Sequence, residues 1–344
     1  VGPAPRGPCG LGPAGPALLG SAAAARDASE PGERVPDAGQ IAGLFTFGSP
    51  GTCMSPLRNP LRADGVFPGQ RVFTERVERI LGMPFRFHDP VSFVANLVGL
   101  SHPVMDALAV DVGGGGAPEF LASSGSGSLA TWPVEDLSFW INGHEIRTYI
   151  RYLKAYAQPF NVRSYQMAVL ASAVYPNRNP TLADVAGTAG VVGWNVVARS
   201  KPAPLMGEID SVKEVIVADQ ATLFQERTSL ACAIAFVGTH DITQWVVDLN
   251  FVSSEYCGIN GVHEGFRNQL QRVTNAPDFS ASLQPALASC KDLYVVGHSL
   301  GAAQAELYAA CIQRAPKMGE AGWEDYQFIA WTPSATPKLL PAMV

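Results

Sequence analysis

The segment from Leu293 to Ala310 constrains the fold more than any other part of the chain. Leu293-Tyr294-Val295-Val296 is an apolar run of strand-forming residues, Gly297-His298-Ser299-Leu300-Gly301 follows without a break, and Ala302, Ala303, Ala305, Ala309 and Ala310 then supply a helix of small side chains. A strand, a sharp turn and a helix in immediate succession put a serine at the tip of a strained bend, with a glycine on each side so that neighbouring backbone can close in. The bare pattern G-x-S-x-G arises by chance in a fair fraction of chains with 34 glycines in 344 residues, so the strand before it and the helix after it carry the weight. A helix that opens at Leu300 also aims its first free amides at whatever reacts with the serine.

The rest of the chain supplies the strands and helices such a unit needs. Leu44 to Phe47 reads as a short buried strand running into the Gly48-Ser49-Pro50-Gly51 turn. Phe73, Val77, Ile80 and Leu81 fall at the spacing of one helical face, which Gly82 can close. A strand at Phe85 to Phe87 delivers His88-Asp89-Pro90, and His144 stands at the head of a helix whose Ile146, Tyr149, Ile150, Leu153 and Tyr156 share one face. Tyr165, Val169 and Ala173 recur at helical spacing before a Pro-Asn-Arg-Asn-Pro break, and Ala231 to Phe236 is a further apolar strand. Strands separated by helices call for a mostly parallel sheet covered on both faces. Three segments follow: residues 1–40 as a poorly ordered leader rich in Pro, Gly and Ala, with a helical patch at Ala17 to Asp27, then 41–163 and 164–344. The Gly113 to Gly116 and Ser123 to Ser128 stretches read as surface loops.

A net charge of -6 with 16% charged residues offers no basic footprint for nucleic acid, and any lipid contact has to be apolar. Six cysteines without a C-x-x-C pair suggest neither a disulfide scaffold nor a zinc site, and Cys232 and Cys311 read as buried free thiols. No apolar stretch approaches the roughly 18–20 residues that span a bilayer, so a soluble protein of unassigned compartment is expected. The chain starts at Val1 rather than Met, which leaves open an incomplete N-terminus.

An alcohol is a weak nucleophile near neutral pH, so Ser299 needs a histidine to take its proton and a carboxylate to orient that histidine. No histidine follows residue 299, and the partners have to come from upstream. The succession Ala233 to Thr239, then Trp245, Asp248 and Asn250-Phe251, then Val262 to Phe266, then the elbow, resembles the fungal-type (class 3) lipase family of the α/β-hydrolases. The resemblance implies that the Thr239 and Leu300 amides form the oxyanion hole and that residues 240–250 form a lid with Trp245 on its apolar side. Val237 stands where the family usually has arginine. Leu44 to Pro50, Arg86 to Val91, Leu100 to Pro103 and Gly143-His144-Glu145 resemble the C-terminal half of the same family, which makes Asp89 the acid and His144 the base, with His102 structural. His240, His263 and His298 are read as loop, strand-edge and packing residues, and Asp106, Asp111 and Glu145 are rival acids without a strand-end setting.

The family's halves thus occur in reversed order, either because the chain is a circular permutant or because it is cut across two tandem lipase domains. Tyr326 to Pro337 resembles Leu44 to Cys53 and would fill the same place after the elbow helix, which favours the tandem origin. The expectation is a serine hydrolase acting on carboxylic esters such as acylglycerols, with transient contact at a lipid interface, and with no metal, cofactor or nucleic acid involved. Two alternatives stand beside it: a noncatalytic lipase-like module that binds lipid or protein, and an incomplete piece of a tandem array.

Overall fold

The first strand among the described residues is wedged between strands that come from far apart in the sequence. In the computed structural model, which describes residues 40–80, 83–89, 91, 99–111, 119–121, 144–155, 162–175, 182–200, 220–238, 252–314 and 331–343, β1 (Gly43–Phe47) pairs in parallel with β11 (Leu293–His298) on one side and with β2 (Phe67–Ile80) on the other. The remaining strands are β3 (Met83–His88), β4 (Met105–Asp111), β5 (Glu119–Leu121), β6 (Trp194–Arg199), β7 (Ala221–Glu226), β8 (Cys232–Phe236), β9 (Ser253–Tyr256) and β10 (Ile259–His263). Nine of them form one sheet in the order β5-β4-β2-β1-β11-β8-β7-β6, with β3 also on β2, while β9 and β10 make a separate hairpin. The five central strands from β4 to β8 run parallel, and antiparallel strands close both edges. Segments 41–163 and 164–344 therefore contribute to a single sheet.

Strand side chains alternate between two buried layers, as a pleated strand demands. Leu44, Val295, Ile234 and Phe236 point to one face, where α4 (Glu264–Thr274) and α5 (Leu300–Ile312) cover them. Phe45, Phe47, Val296, Ala233 and Ala235 point to the other, under α1 (Ile146–Ala155), α2 (Val162–Ala173) and α3 (Leu182–Gly190). Every residue of α5 is buried, and Gly301, Ala302, Ala303, Ala305, Ala309 and Ala310 supply the small side chains that let the helix lie close against its neighbours. Among the described residues no helix is long and apolar enough to cross a membrane.

Three sequence expectations are overturned. Phe73, Val77 and Ile80 lie in β2, not in a helix; a spacing of four fits both periods, and pairing with β1, β3 and β4 settles the matter. Cys232 is bonded to Cys290 and Cys311 to Cys257, so neither is a free thiol. The repeat of the Leu44 motif does not take the place beside β11, which β1 already fills. Its described part, Trp331 to Pro337, instead runs without regular structure past Cys290, with Ser334 N on Cys290 O at 2.9 Å, and the chain beyond it passes Gln225, with Leu340 N on Gln225 Oε1 at 2.8 Å. The leader, the glycine and serine loops, Leu81, Gly82, Tyr156 and Tyr326 to Ala330 lie outside the described residues.

Candidate active site

β1 and β3 meet β2 from opposite directions, and the site forms where they end. The Gly48 amide still bonds the Val72 carbonyl at 3.0 Å as β1 leaves, and β3 takes up the same edge from Glu75 onward. Asp89 falls in the gap, its amide on the Thr74 carbonyl at 2.8 Å and its side chain fully buried. This strand end is the rigid setting that the exposed rivals Asp106 and Glu145 lack.

His144, at the head of α1, brings Nδ1 to 2.9 and 2.8 Å from the two Asp89 carboxylate oxygens. Val91 N donates to Oδ1 at 2.9 Å, and the Tyr149 hydroxyl donates to Oδ2. Burial pushes the Asp89 carboxyl up, but the His144 ring, Tyr149 and the Val91 amide together outweigh it and hold it below the usual carboxylate range. An ionised Asp89 accepts from His144 Nδ1, which leaves Nε2 with a lone pair; that atom is buried and has no hydrogen-bond partner. Tyr149 was read from sequence only as part of an apolar helix face, though a phenol on such a face needs a partner for its hydroxyl.

Ser299 follows β11 with φ 56° and ψ -130°, the strained bend that its flanking glycines announce. A Cβ on Gly297 would run into the Gly301 carbonyl, and one on Gly301 into the Phe236 carbonyl, so both glycines are required. The Ser299 amide bonds the Phe47 carbonyl at 2.9 Å, one residue before Gly48, whose Cα faces His144 and Asp89. Ser299 follows β11, Asp89 follows β3 and His144 heads α1; the end of β1 lies between them, with Phe47 bonded to the Ser299 amide and Gly48 against His144 and Asp89. Leu300 opens α5 directly after the serine, whereas Thr239, His240 and Trp245 lie outside the described residues. Val237 is buried in the core at the end of β8.

His298 does more than pack. Its ring lies 4.7 Å from the His144 ring, Nε2 stands 2.7 Å from the His144 carbonyl, and Nδ1 stands 2.9 Å from the hydroxyl of Tyr175, a residue the sequence did not single out. His263 caps α4 through Gly265 N and stacks on Phe266, as a structural residue would. Behind the site, Glu306 of α5 is fully buried; burial raises its carboxyl to about 8 against the pull of Ser49, Arg71 and Thr52. Burial also depresses His102, with Arg71 adding to it. Among the described residues no group of three His, Cys, Asp or Glu could hold a metal ion.

A mainly parallel sheet covered on both faces, with a strained serine between strand and helix, defines an α/β-hydrolase fold. Residues 233–322, from β8 through the elbow and α5, match the family described as Lipase (class 3). The native lipase–propeptide complex of Rhizomucor miehei is 20% identical with a TM-score of 0.33, over 46% of this chain and 48% of that one. A two-residue deletion mutant of the same complex is 17% identical with a TM-score of 0.32, over 52% and 55%. The chain therefore spans about half the length of each. No curated protein sequence matches it.

Proposed function

We propose that the protein is a serine hydrolase of carboxylic esters, with acylglycerols as the substrate class, and that both segments build one site within this chain. The observation that carries the proposal is the buried Asp89–His144 pair, which comes from the front of the chain and leaves His144 Nε2 without a partner at the strand ends where Ser299 sits. Ser299 Oγ attacks the ester carbonyl while His144 Nε2 takes its proton, and Asp89 holds the imidazole through Nδ1–H and stabilises the imidazolium. The Leu300 amide, with Thr239, stabilises the tetrahedral oxyanion. The imidazolium then gives its proton to the departing alcohol, and water activated by the same histidine cleaves the acyl-enzyme.

Ser299→Ala tests this. Turnover of p-nitrophenyl butyrate should fall by ~10^6-fold, the scale of nucleophile deletions in serine triads. Hydrolysis that persists in the purified variant, or wild-type protein that neither turns over esters nor reacts with a fluorophosphonate at Ser299, would overturn the assignment.

A further inference from the structure

The Asp89 carboxylate fixes the His144 ring at Nδ1, but the direction of Nε2 also depends on the main chain that carries the ring. That main chain is held by His298, the last residue of β11 and the one before Ser299: its Nε2 lies 2.7 Å from the His144 carbonyl. A carbonyl can only accept, so His298 Nε2 carries the hydrogen and donates it, and Nδ1 is turned to the Tyr175 hydroxyl at 2.9 Å. His298 is buried, and its ring packs on the His144 ring with centroids 4.7 Å apart and planes tilted by 34°. Burial, with His144 adding to it, brings the His298 imidazole down to about 3, so the ring beside the base stays uncharged when His144 gains its proton. One bond therefore ties the residue that precedes the nucleophile to the main chain of the base, across 154 residues of sequence.

Resting on the hydrolase reading above, we infer that His298 is a positioning residue that holds His144 in register with Ser299 by donating its Nε2 hydrogen to the His144 carbonyl. With the ring pinned at Nδ1 by Asp89 and the main chain pinned at the carbonyl by His298, the direction of His144 Nε2 is set from both ends. That nitrogen is buried and without a partner, and it is the atom that has to meet the serine. β11 belongs to the segment 164–344 and His144 to 41–163, so the bond holds together two halves of a site that lie far apart in the chain. The role resides in the donor at the Nε2 position and not in the bulk of the ring, and this separates positioning from packing.

The test is steady-state hydrolysis of p-nitrophenyl butyrate by the full chain, with thermal melting and fluorophosphonate labelling of Ser299 alongside, for wild type, His298→Phe, His298→Asn and His298→Gln. Phe keeps a flat ring but has no donor, Asn has a donor too short to stand at the Nε2 position, and Gln carries an amide N–H to that place. Positioning predicts that the Phe and Asn variants lose about 10- to 100-fold in kcat with KM unchanged, up to the scale of a misplacement near 1 Å, and that the Gln variant recovers kcat to within about 3-fold of wild type. Packing predicts the reverse order, with Phe the mildest change. Any ranking in which Gln does not exceed both Phe and Asn, or a loss that falls on KM and not on kcat, overturns the role of His298, while turnover by wild type leaves the hydrolase reading intact. Wild type that neither hydrolyses the ester nor takes the label at Ser299 overturns both.

Discussion

Gly48→Ala should disable the site by displacing the acid–base pair rather than by removing any reacting group. A methyl at this position would stand 2.7 Å from His144 Cε1, 2.8 Å from His144 Nδ1 and 2.8 Å from Asp89 Oδ2. Carbon atoms pack at roughly 3.5–4.0 Å, so the pair has to withdraw by roughly 0.7–1 Å. It has little freedom to do so: Asp89 is held by the Val91 amide and Tyr149, and the His144 carbonyl by His298. A displacement near 1 Å costs on the order of 100-fold in rate. The backbone at φ +57° adds about 1 kcal/mol of destabilisation for any residue with a Cβ. Gly99→Ala supplies the control, since it has φ +79° with nothing within 4 Å of the added methyl. Both variants should lose a few degrees of thermal stability, and only Gly48→Ala should lose about 100-fold in kcat for p-nitrophenyl butyrate. Full activity in Gly48→Ala, or an equal loss in Gly99→Ala, would refute the steric reasoning.

Two further outcomes concern stability. The Glu306 carboxyl is raised from 4.5 to about 8, so the folded chain keeps a proton that the unfolded chain releases, and stability declines as pH rises through that window. Glu306→Gln should unfold at the same urea concentration as wild type at pH 5 and at a higher one at pH 8.5, by on the order of 4–5 kcal/mol at most; parallel pH curves would contradict the buried setting. Removing the Cys257–Cys311 bridge as a double alanine variant opens a loop of 54 residues in sequence separation. By loop entropy this should cost about 4 kcal/mol in urea unfolding, and unchanged stability would argue that the bridge does not form in the folded protein.

The elements that residues announce by themselves were legible in the sequence. The elbow from Leu293 to Ala310, the strand at β8 and the buried strand at β1 each combine a local period with turn residues at their ends, and each appears where it was expected. Asp89 and His144 were singled out through the family resemblance, one where a strand ends and one at the head of a periodic helix, and the structure places their side chains within hydrogen-bond distance. What stayed hidden depends on partners distant in the chain. The helical spacing in β2 is ambiguous until β1, β3 and β4 pair with it. The pairings of Cys232 and Cys257 cannot be read from spacing, because any cysteine can bridge any other that the fold brings near. Tyr149 and Tyr175 look like ordinary apolar-face residues, and only coordinates reveal what their hydroxyls face.

The placement of β1 has a consequence for how the protein is made. Gly43 pairs with Tyr294, so the sheet cannot close until the chain has emerged through residue 294, and contacts of such long range form slowly. During that interval Asp89 and His144 have been synthesised and Ser299 has not. On the function proposed above, the site is completed only when β1 is captured beside β11, and the onset of ester cleavage during refolding would time that pairing.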